Sequence, residues 1–439
     1  MQLWQPPLPD AYNEMTDEKL AGAISARRAE LGKDLVILGH HYQQDEVIRF
    51  ADFTGDSFKL SRLAAEQVKK NGAKYVVFAG VHFMAETADI LTDENVQVIL
   101  PDLGAGCSMA DMADYEQTVD AWEQLHGLLN GGVPEMADGG SRVRGSGNRD
   151  QKSKISNHKS QIINPTPNPQ PPTPNPRYRV IPICYMNSTA AIKAFCGQHG
   201  GAVCTSSNCD RIFDWALAGG DTPLTVGEEV KVLFLPDQHL GRNTAAQRGA
   251  DVTTATCVWD PRDPGELGGN DEDTILNATY ILWKGHCSVH MLFRPEHVDQ
   301  ARAEQPDVHV IVHPECRYEV CQKADSTGST ERIIQTIENA KPGSHFAVGT
   351  EVHLVNRLAN EAKQRGVHVR TLSDCQCLCT TMYRIDMPHL LWVLDNLAGG
   401  KVVNQISVHP EARKWALVAL RRMLAVTVVR EAPATTIGA

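Results

Sequence analysis

Twelve cysteines are spread along the 439 residues, and three of them recur in register. Cys107, Cys287 and Cys379 each follow, within about eight residues, an apolar run that reads as a buried strand: Val96 to Leu100, Ala278 to Trp283 and Val367 to Leu372. Three thiolates brought to one point suit a [4Fe-4S] cluster with one iron left open, whereas zinc generally takes four protein ligands, or three plus water. An open iron is a Lewis acid that can hold a substrate hydroxyl or carboxylate and help expel water, so this donor set points to dehydration chemistry. The third position is ambiguous. Cys375-Gln376-Cys377-Leu378-Cys379 offers three thiols, and a regulatory disulfide or a separate metal site in that run is the competing reading. Cys184, Cys196, Cys204, Cys209, Cys257, Cys316 and Cys321 read as small packing residues, the usual fate of a free cysteine.

A second ring of polar residues follows the same spacing. It comprises His40, Tyr42 and Ser57, then Tyr185, Asn187 and Ser206, then His313, Glu315, Ser329 and Thr330. Ser57 lies 17 residues after His40, and Thr330 17 after His313. Ser206 lies 21 after Tyr185, with the stretch Cys196 to Gly201 taken to absorb the excess and Ser207 as the alternative. Hydroxyls and amides at helix starts after strands anchor carboxylate and phosphate oxygens. Singly, each has an ordinary explanation, because Ser and Thr cap helices and a lone His packs. The tripeptide His313-Pro314-Glu315 also recurs as His409-Pro410-Glu411, where proline opens a helix, so its place in the repeat decides its meaning.

Those residues must be held by repeated elements. Three amphipathic helices are expected at Asp17 to Leu31, Asp114 to Leu129 and Pro295 to Glu304. Each precedes a β-branched run: Leu35 to Leu38, Val180 to Ile183 and Val308 to Val312. A second strand recurs at Tyr75 to Ala79, Val232 to Leu235 and Phe346 to Val348. Strands alternating with helices at this spacing predict parallel βαβ sheets, whose ligands gather beyond the carboxyl ends of the strands. The expected fold is α/β: three pseudo-threefold-related αβα sandwich units with parallel sheets around a central active site. The boundaries read as 1–113, 114–294 and 295–395 for the three units, followed by a C-terminal helical segment and tail at 396–439.

Residues 131–178 break the pattern, ending in seven prolines within Asn164 to Pro176, and read as a disordered surface insertion. A second loop-like stretch, Asp260 to Asp273, is expected to point outward. The formal charge of −11 and the lack of a basic cluster on a regular element argue against a nucleic-acid or anionic-membrane partner. No leader-like start and no bilayer-length apolar run are present, so a cytoplasmic location is expected, where thiols stay reduced.

Seven motifs then resemble one family. Gly39-His40-His41-Tyr42-Gln43, Ala51-Asp52 with Gly55-Asp56-Ser57, Gly106-Cys107-Ser108-Met109, Pro236 to Asn243, Trp283-Lys284-Gly285-His286-Cys287, His313-Pro314-Glu315 with Gly328-Ser329-Thr330, and Cys379-Thr380-Thr381-Met382 are together similar to the quinolinate synthase family. The resemblance spans nearly all of the chain outside the insertions. It implies condensation of iminoaspartate with dihydroxyacetone phosphate to quinolinate, with loss of phosphate and two waters, in de novo NAD synthesis. It implies one [4Fe-4S] cluster per chain on Cys107, Cys287 and Cys379, and leaves room for a transient contact with the enzyme that supplies iminoaspartate. By motif position, His40 and Ser57 would hold a carboxylate, and Ser206 would anchor anionic groups beside Tyr185 and Asn187. Ser329 and Thr330 would complete that shell, with Tyr42 and Glu315, beside His313, in the catalytic set. The sequence departs from the family at Met291, where an acidic residue is common, and in the two insertions. Two other readings remain open: a zinc-stabilised binding protein for a phosphate ligand, and an aconitase-like hydratase.

Overall fold

Runs of Val, Ile, Leu and Phe form three separate sheets in the computed structural model, which describes residues 5–131, 177–374 and 377–428. The first contains β1 (Leu35–His40), β2 (Phe53–Gly55), β3 (Tyr75–Ala79) and β4 (Gln97–Ile99). The second contains β5 (Arg177–Tyr185), β6 (Ala202–Cys204), β7 (Glu228–Leu235), β8 (Thr256–Trp259) and β9 (Tyr280–Trp283). The third contains β10 (His309–Val312), β11 (Ser326–Thr327), β12 (His345–Gly349) and β13 (His368–Thr371). The order β2-β1-β3-β4 recurs as β6-β5-β7-β9 and as β11-β10-β12-β13. Every pairing within these orders is parallel. The fold is therefore α/β, with helices covering both faces as parallel sheets require. In β10, Val310 and Val312 enter one apolar cluster and Ile311 another, the alternation of a strand buried on both sides.

A repeated clamp locks the first strand of two units. Asp52 Oδ2 accepts the Ile37 N–H at 2.7 Å while Oδ1 takes the Arg28 guanidinium at 2.5 Å. Asp325 Oδ2 accepts the Val310 N–H at 2.7 Å while Oδ1 takes Arg302 at 2.9 Å. Both arginines lie on the expected opening helices, Asp17–Leu31 and Pro295–Glu304.

Several elements depart from the sequence expectation. The short strands β2, β6 and β11 were hidden because two or three residues carry no periodicity. The extra length in the second unit is a longer helix: Ala190–Gln198 stands where the others have Asp45–Ile48 and Tyr318–Lys323. Of the stretch 131–178, residues 132–176 lie outside the described residues, and Arg177 and Tyr178 already belong to β5. Residues 260–273 do not simply point outward. They include a turn, Glu266–Gly269, whose Leu267 N–H reaches Gln124 Oε1 at 2.7 Å, and Gly268 lies where a Cβ would sit 2.7 Å from the Trp259 ring.

After the third unit the chain returns to the other two. Helix Met387–Ala398 lies along Asp17–Leu31, with Asp395 accepting from Arg27 at 2.6 Å and Tyr12 at 2.9 Å. Strand β14 (Gln405–Ile406) adds antiparallel to β4. Helix Pro410–Val428 then crosses Ala190–Gln198 so closely that a Cβ on Gly197 would sit 1.9 Å from the Trp415 carbonyl oxygen. No helix among the described residues is long and apolar enough to cross a membrane.

Candidate metal and substrate site

The strand orders reverse between β1 and β3, between β5 and β7 and between β10 and β12, and loops at such a switch point open a crevice. Three crevices meet in a single cleft of about 680 Å³, its open mouth included. Cys107, Cys287 and Cys379 all line it. Each cysteine enters the same local structure. Its carbonyl accepts from the residue four ahead, Asp111, Met291 or Tyr383, at 3.0 to 3.1 Å, and a 3₁₀ turn follows: Ala110–Met112, His290–Leu292 or Met382–Arg384. That turn aims the N–H of the third residue on, Ala110, His290 or Met382, at the sulfur. Such N–H donors stabilise thiolates and metal-bound sulfur.

Burial pushes all three thiols up, Cys107 to about 12, the others likewise upward; Cys379 raises Cys107 and Cys287 further, and Cys107 adds to Cys287. They are thiols until a cation displaces their protons. Cys377 is fully buried in the apolar cluster behind Cys379, and Cys375 lies outside the described residues, as does any pairing it makes. The seven cysteines read as packing residues are all buried.

The polar ring sits around these sulfurs. His40, Tyr42, Ser57, Tyr185, Asn187, Ser206, His313, Glu315 and Thr330 line the same cleft. Ser329 does not. It caps helix Thr330–Glu338, accepting from Arg332 N–H, as Asp56 caps Ser57–Asn71, so Thr330 is the counterpart of Ser57. Ser206 lines the cleft, whereas Ser207 faces an adjoining groove and bonds Thr205 at 2.9 Å.

Two groups that sequence reasoning passed over complete a hydrogen-bonded line. Tyr185 donates a short hydrogen bond to Glu315 Oε1, and Glu315 Oε2 meets His290 Nδ1 at 2.9 Å. His290 Nε2 meets Thr350 Oγ1 at 3.2 Å, Thr350 Oγ1 meets Tyr42 Oη at 2.9 Å, and Tyr42 Oη meets Thr330 Oγ1 at 3.2 Å. His290 also stacks on His313 with ring centroids 4.6 Å apart. A His three residues after a repeating cysteine was the available signal for His290. Thr350 follows β12 at the switch point and had no motif around it.

Glu315 is ionised. Burial alone would raise its carboxyl, but His313, His290 and the Tyr185 hydroxyl hold it down to about 2. Burial drives His313 itself down to about 3 against the opposing pull of the Glu315 charge, and the hydrogen bonds with Tyr185 and His290 remain on the carboxylate when His313 is neutral. His40 is likewise pushed down to about 3 by burial, with His41 adding to it. Burial lifts both phenols, Tyr42 and Tyr185, well above their ordinary value, helped by the Glu315 charge. The cleft thus holds the buried Glu315 carboxylate beside two phenols that keep their protons, and Asp56 also lines it. Cys287, His290 and Glu315 also place ligand atoms within 4.8 Å of one another, close enough for a single metal ion.

A family model described as quinolinate synthetase A protein matches residues 23–425. A quinolinate synthase of Acidobacterium capsulatum is 50% identical over 415 residues, 94% of this chain and 95% of that protein. Its counterpart in Rhodopirellula baltica is 46% identical over 426 residues, 94% and 93% of the two chains. That of Halalkalibacterium halodurans is 45% identical over 418 residues, 95% and 96%.

Proposed function

The chain belongs to the quinolinate synthetase A family, and on that premise we propose that Cys107, Cys287 and Cys379 hold a [4Fe-4S] cluster at the floor of the cleft. The reaction is the condensation of iminoaspartate with dihydroxyacetone phosphate to quinolinate, releasing phosphate and two waters, for NAD synthesis. The observation that carries the cluster reading is the convergence of three thiols, from loops of one design, on one cavity. Three sulfurs with N–H donors suit a cluster better than a lone ion, and when bound it supplies an open iron that polarises a substrate hydroxyl for loss as water.

The protein groups bind and move protons. His40, Ser57, Asn187, Ser206 and Thr330 offer donors to the carboxylates and phosphate of the two substrates. Glu315, held low beside His313, His290 and Tyr185, is the acceptor of substrate protons. Tyr185 and Tyr42, phenols that keep their protons, are the donors that return them. His290 and Thr350 join the two ends of that line, so a proton taken at Glu315 and one given by Tyr42 belong to one connected chain. Ser329 acts through the helix it caps.

Anaerobic purification tests this directly. Brown protein with about four iron and four sulfide per chain, forming quinolinate from the two substrates, is expected. Colourless protein with one zinc per chain would instead assign Cys287, His290 and Glu315 to a zinc ion and overturn the cluster. Replacing Cys107, Cys287 or Cys379 by Ser should each abolish iron retention, while Cys377→Ser should keep the cluster.

A further inference from the structure

Behind two of the three cysteine loops stands a buried acid that the reaction does not use. In each unit the helix after the second strand starts beside the cysteine loop. The N–H of its first residue donates to the carbonyl two residues before the cysteine: His82 to Ala105 at 2.8 Å, Gln238 to Gly285 at 3.1 Å, Val352 to Cys377 at 3.1 Å. The capping positions immediately before are Val81, Asp237 and Glu351. Asp237 and Glu351 have no exposed surface. Asp237 Oδ1 accepts from His239 at 2.7 Å and Leu240 at 3.0 Å, and Glu351 Oε2 from His353 at 2.8 Å and Leu354 at 3.3 Å.

One oxygen of each is therefore used by the helix. The other, Asp237 Oδ2 or Glu351 Oε1, is buried without a well-formed hydrogen bond among the described residues. An orphaned carboxylate oxygen in the interior is costly and calls for a reason. Asp237 also forms a β-bridge with Gly285, two residues before Cys287. The N–H of Cys287 faces the Asp237 carboxylate and that of Cys379 faces Glu351, each opposing the upward push of burial.

We propose that Asp237 and Glu351 are positioning residues for the metal site, each capping a helix with one oxygen and turning the other to the backbone of Cys287 or Cys379, so fixing where that sulfur points. Cys107 has Val81 in the equivalent place, which offers no carboxylate to its loop. Outer-shell partners of this kind typically change metal affinity by about 10- to 100-fold. The inference rests on the reading of the three cysteines as cluster ligands.

The test separates capping from positioning. Asp237→Ser and Glu351→Ser keep a capping oxygen and remove the second arm; Asp237→Asn and Glu351→Gln keep the shape and the capping oxygen but turn an –NH2 donor, which cannot accept, toward the cysteine N–H. Three readouts are taken: the rate at which a chelator strips iron from the anaerobically reconstituted protein, the electron paramagnetic resonance spectrum of the reduced cluster, and the melting midpoint of the metal-free protein. The Ser variants and the amide variants should both lose iron about tenfold faster, with an altered spectrum and a melting midpoint near that of the parent, because each lacks the second acceptor oxygen. Ser variants that match the parent in loss rate and spectrum overturn the proposal, as does collapse of the metal-free fold in both. Amide variants that match the parent would show that the second oxygen does not accept from the cysteine backbone and also overturn it. A parent protein that takes up no iron defeats the cluster reading first, and this inference with it.

Discussion

His-Pro-Glu occurs twice in the chain, and locally it folds the same way both times. The Glu315 N–H donates to His313 Nδ1 at 3.3 Å, and the Glu411 N–H donates to His409 Nδ1 at 3.3 Å. The surroundings differ. The first copy follows β10 at the switch point, with His313 2% and Glu315 3% exposed. The second opens a surface helix, and all three of its residues are exposed to solvent. Short-range geometry is thus a property of the tripeptide, whereas the charge state and partners of its carboxylate come from the fold around it. Three neighbours that are distant in sequence, Tyr185, His290 and the cysteine loop, turn an ordinary glutamate into a buried base.

The sharpest way to break that contrast is to make the same change at both places. Glu315→Gln removes the ionised acceptor and should lower quinolinate formation by about a thousandfold, with the absorbance of the cluster retained. Unimpaired turnover would remove Glu315 from proton transfer. Tyr185→Phe takes one donor from the carboxylate, so its pKa rises and the acid limb of the kcat/KM profile shifts to higher pH, with activity at neutral pH down by about tenfold. A stationary limb would show that Tyr185 does not sustain the charge.

A smaller effect concerns stability. His40 and His313 titrate near 6.5 when unfolded but are held down to about 3 in the folded chain. The unfolded chain therefore binds more protons between those values, and stability is full above about pH 6.5 and is lost as pH falls toward 3. Glu315, lowered to about 2, adds a loss that starts below the ordinary glutamate range near 4.5. Thermal melting of the metal-free protein from pH 7 to pH 4 should show a falling midpoint, with a shallower slope in His313→Gln. A flat profile in the parent would contradict the burial argument. Smallest of all, Glu411→Gln should alter turnover by less than about twofold and stability by less than about 0.5 kcal/mol, as exposed substitutions do.

The triplication explains why so much could be read beforehand. Buried strands repeat a hydrophobic signal, and residues immediately after them inherit a common position, which is how Cys107, Cys287, Cys379, Tyr42 and Glu315 were singled out. Groups whose role is set by a partner from another unit were not visible. His290 looked like a flanking residue until Glu315 and Thr350 stood on either side of it. Ser329 and Thr330 could not be separated, because only the start of the helix shows which hydroxyl is spent on the cap. Strands β8 and β14 escaped because one follows a polar turn and the other is two residues long and pairs across most of the sequence.

The line from Tyr185 to Thr330 has a mechanical consequence. Its links cross between the three repeats: Tyr185, from the second, fastens to Glu315 on the third, and Tyr42, from the first, fastens to Thr330 and Thr350 on the third. Any displacement of the first or second repeat from the third would unfasten one of the phenols. The wiring for protons thus doubles as a fastening, complete only while the three repeats keep their present places.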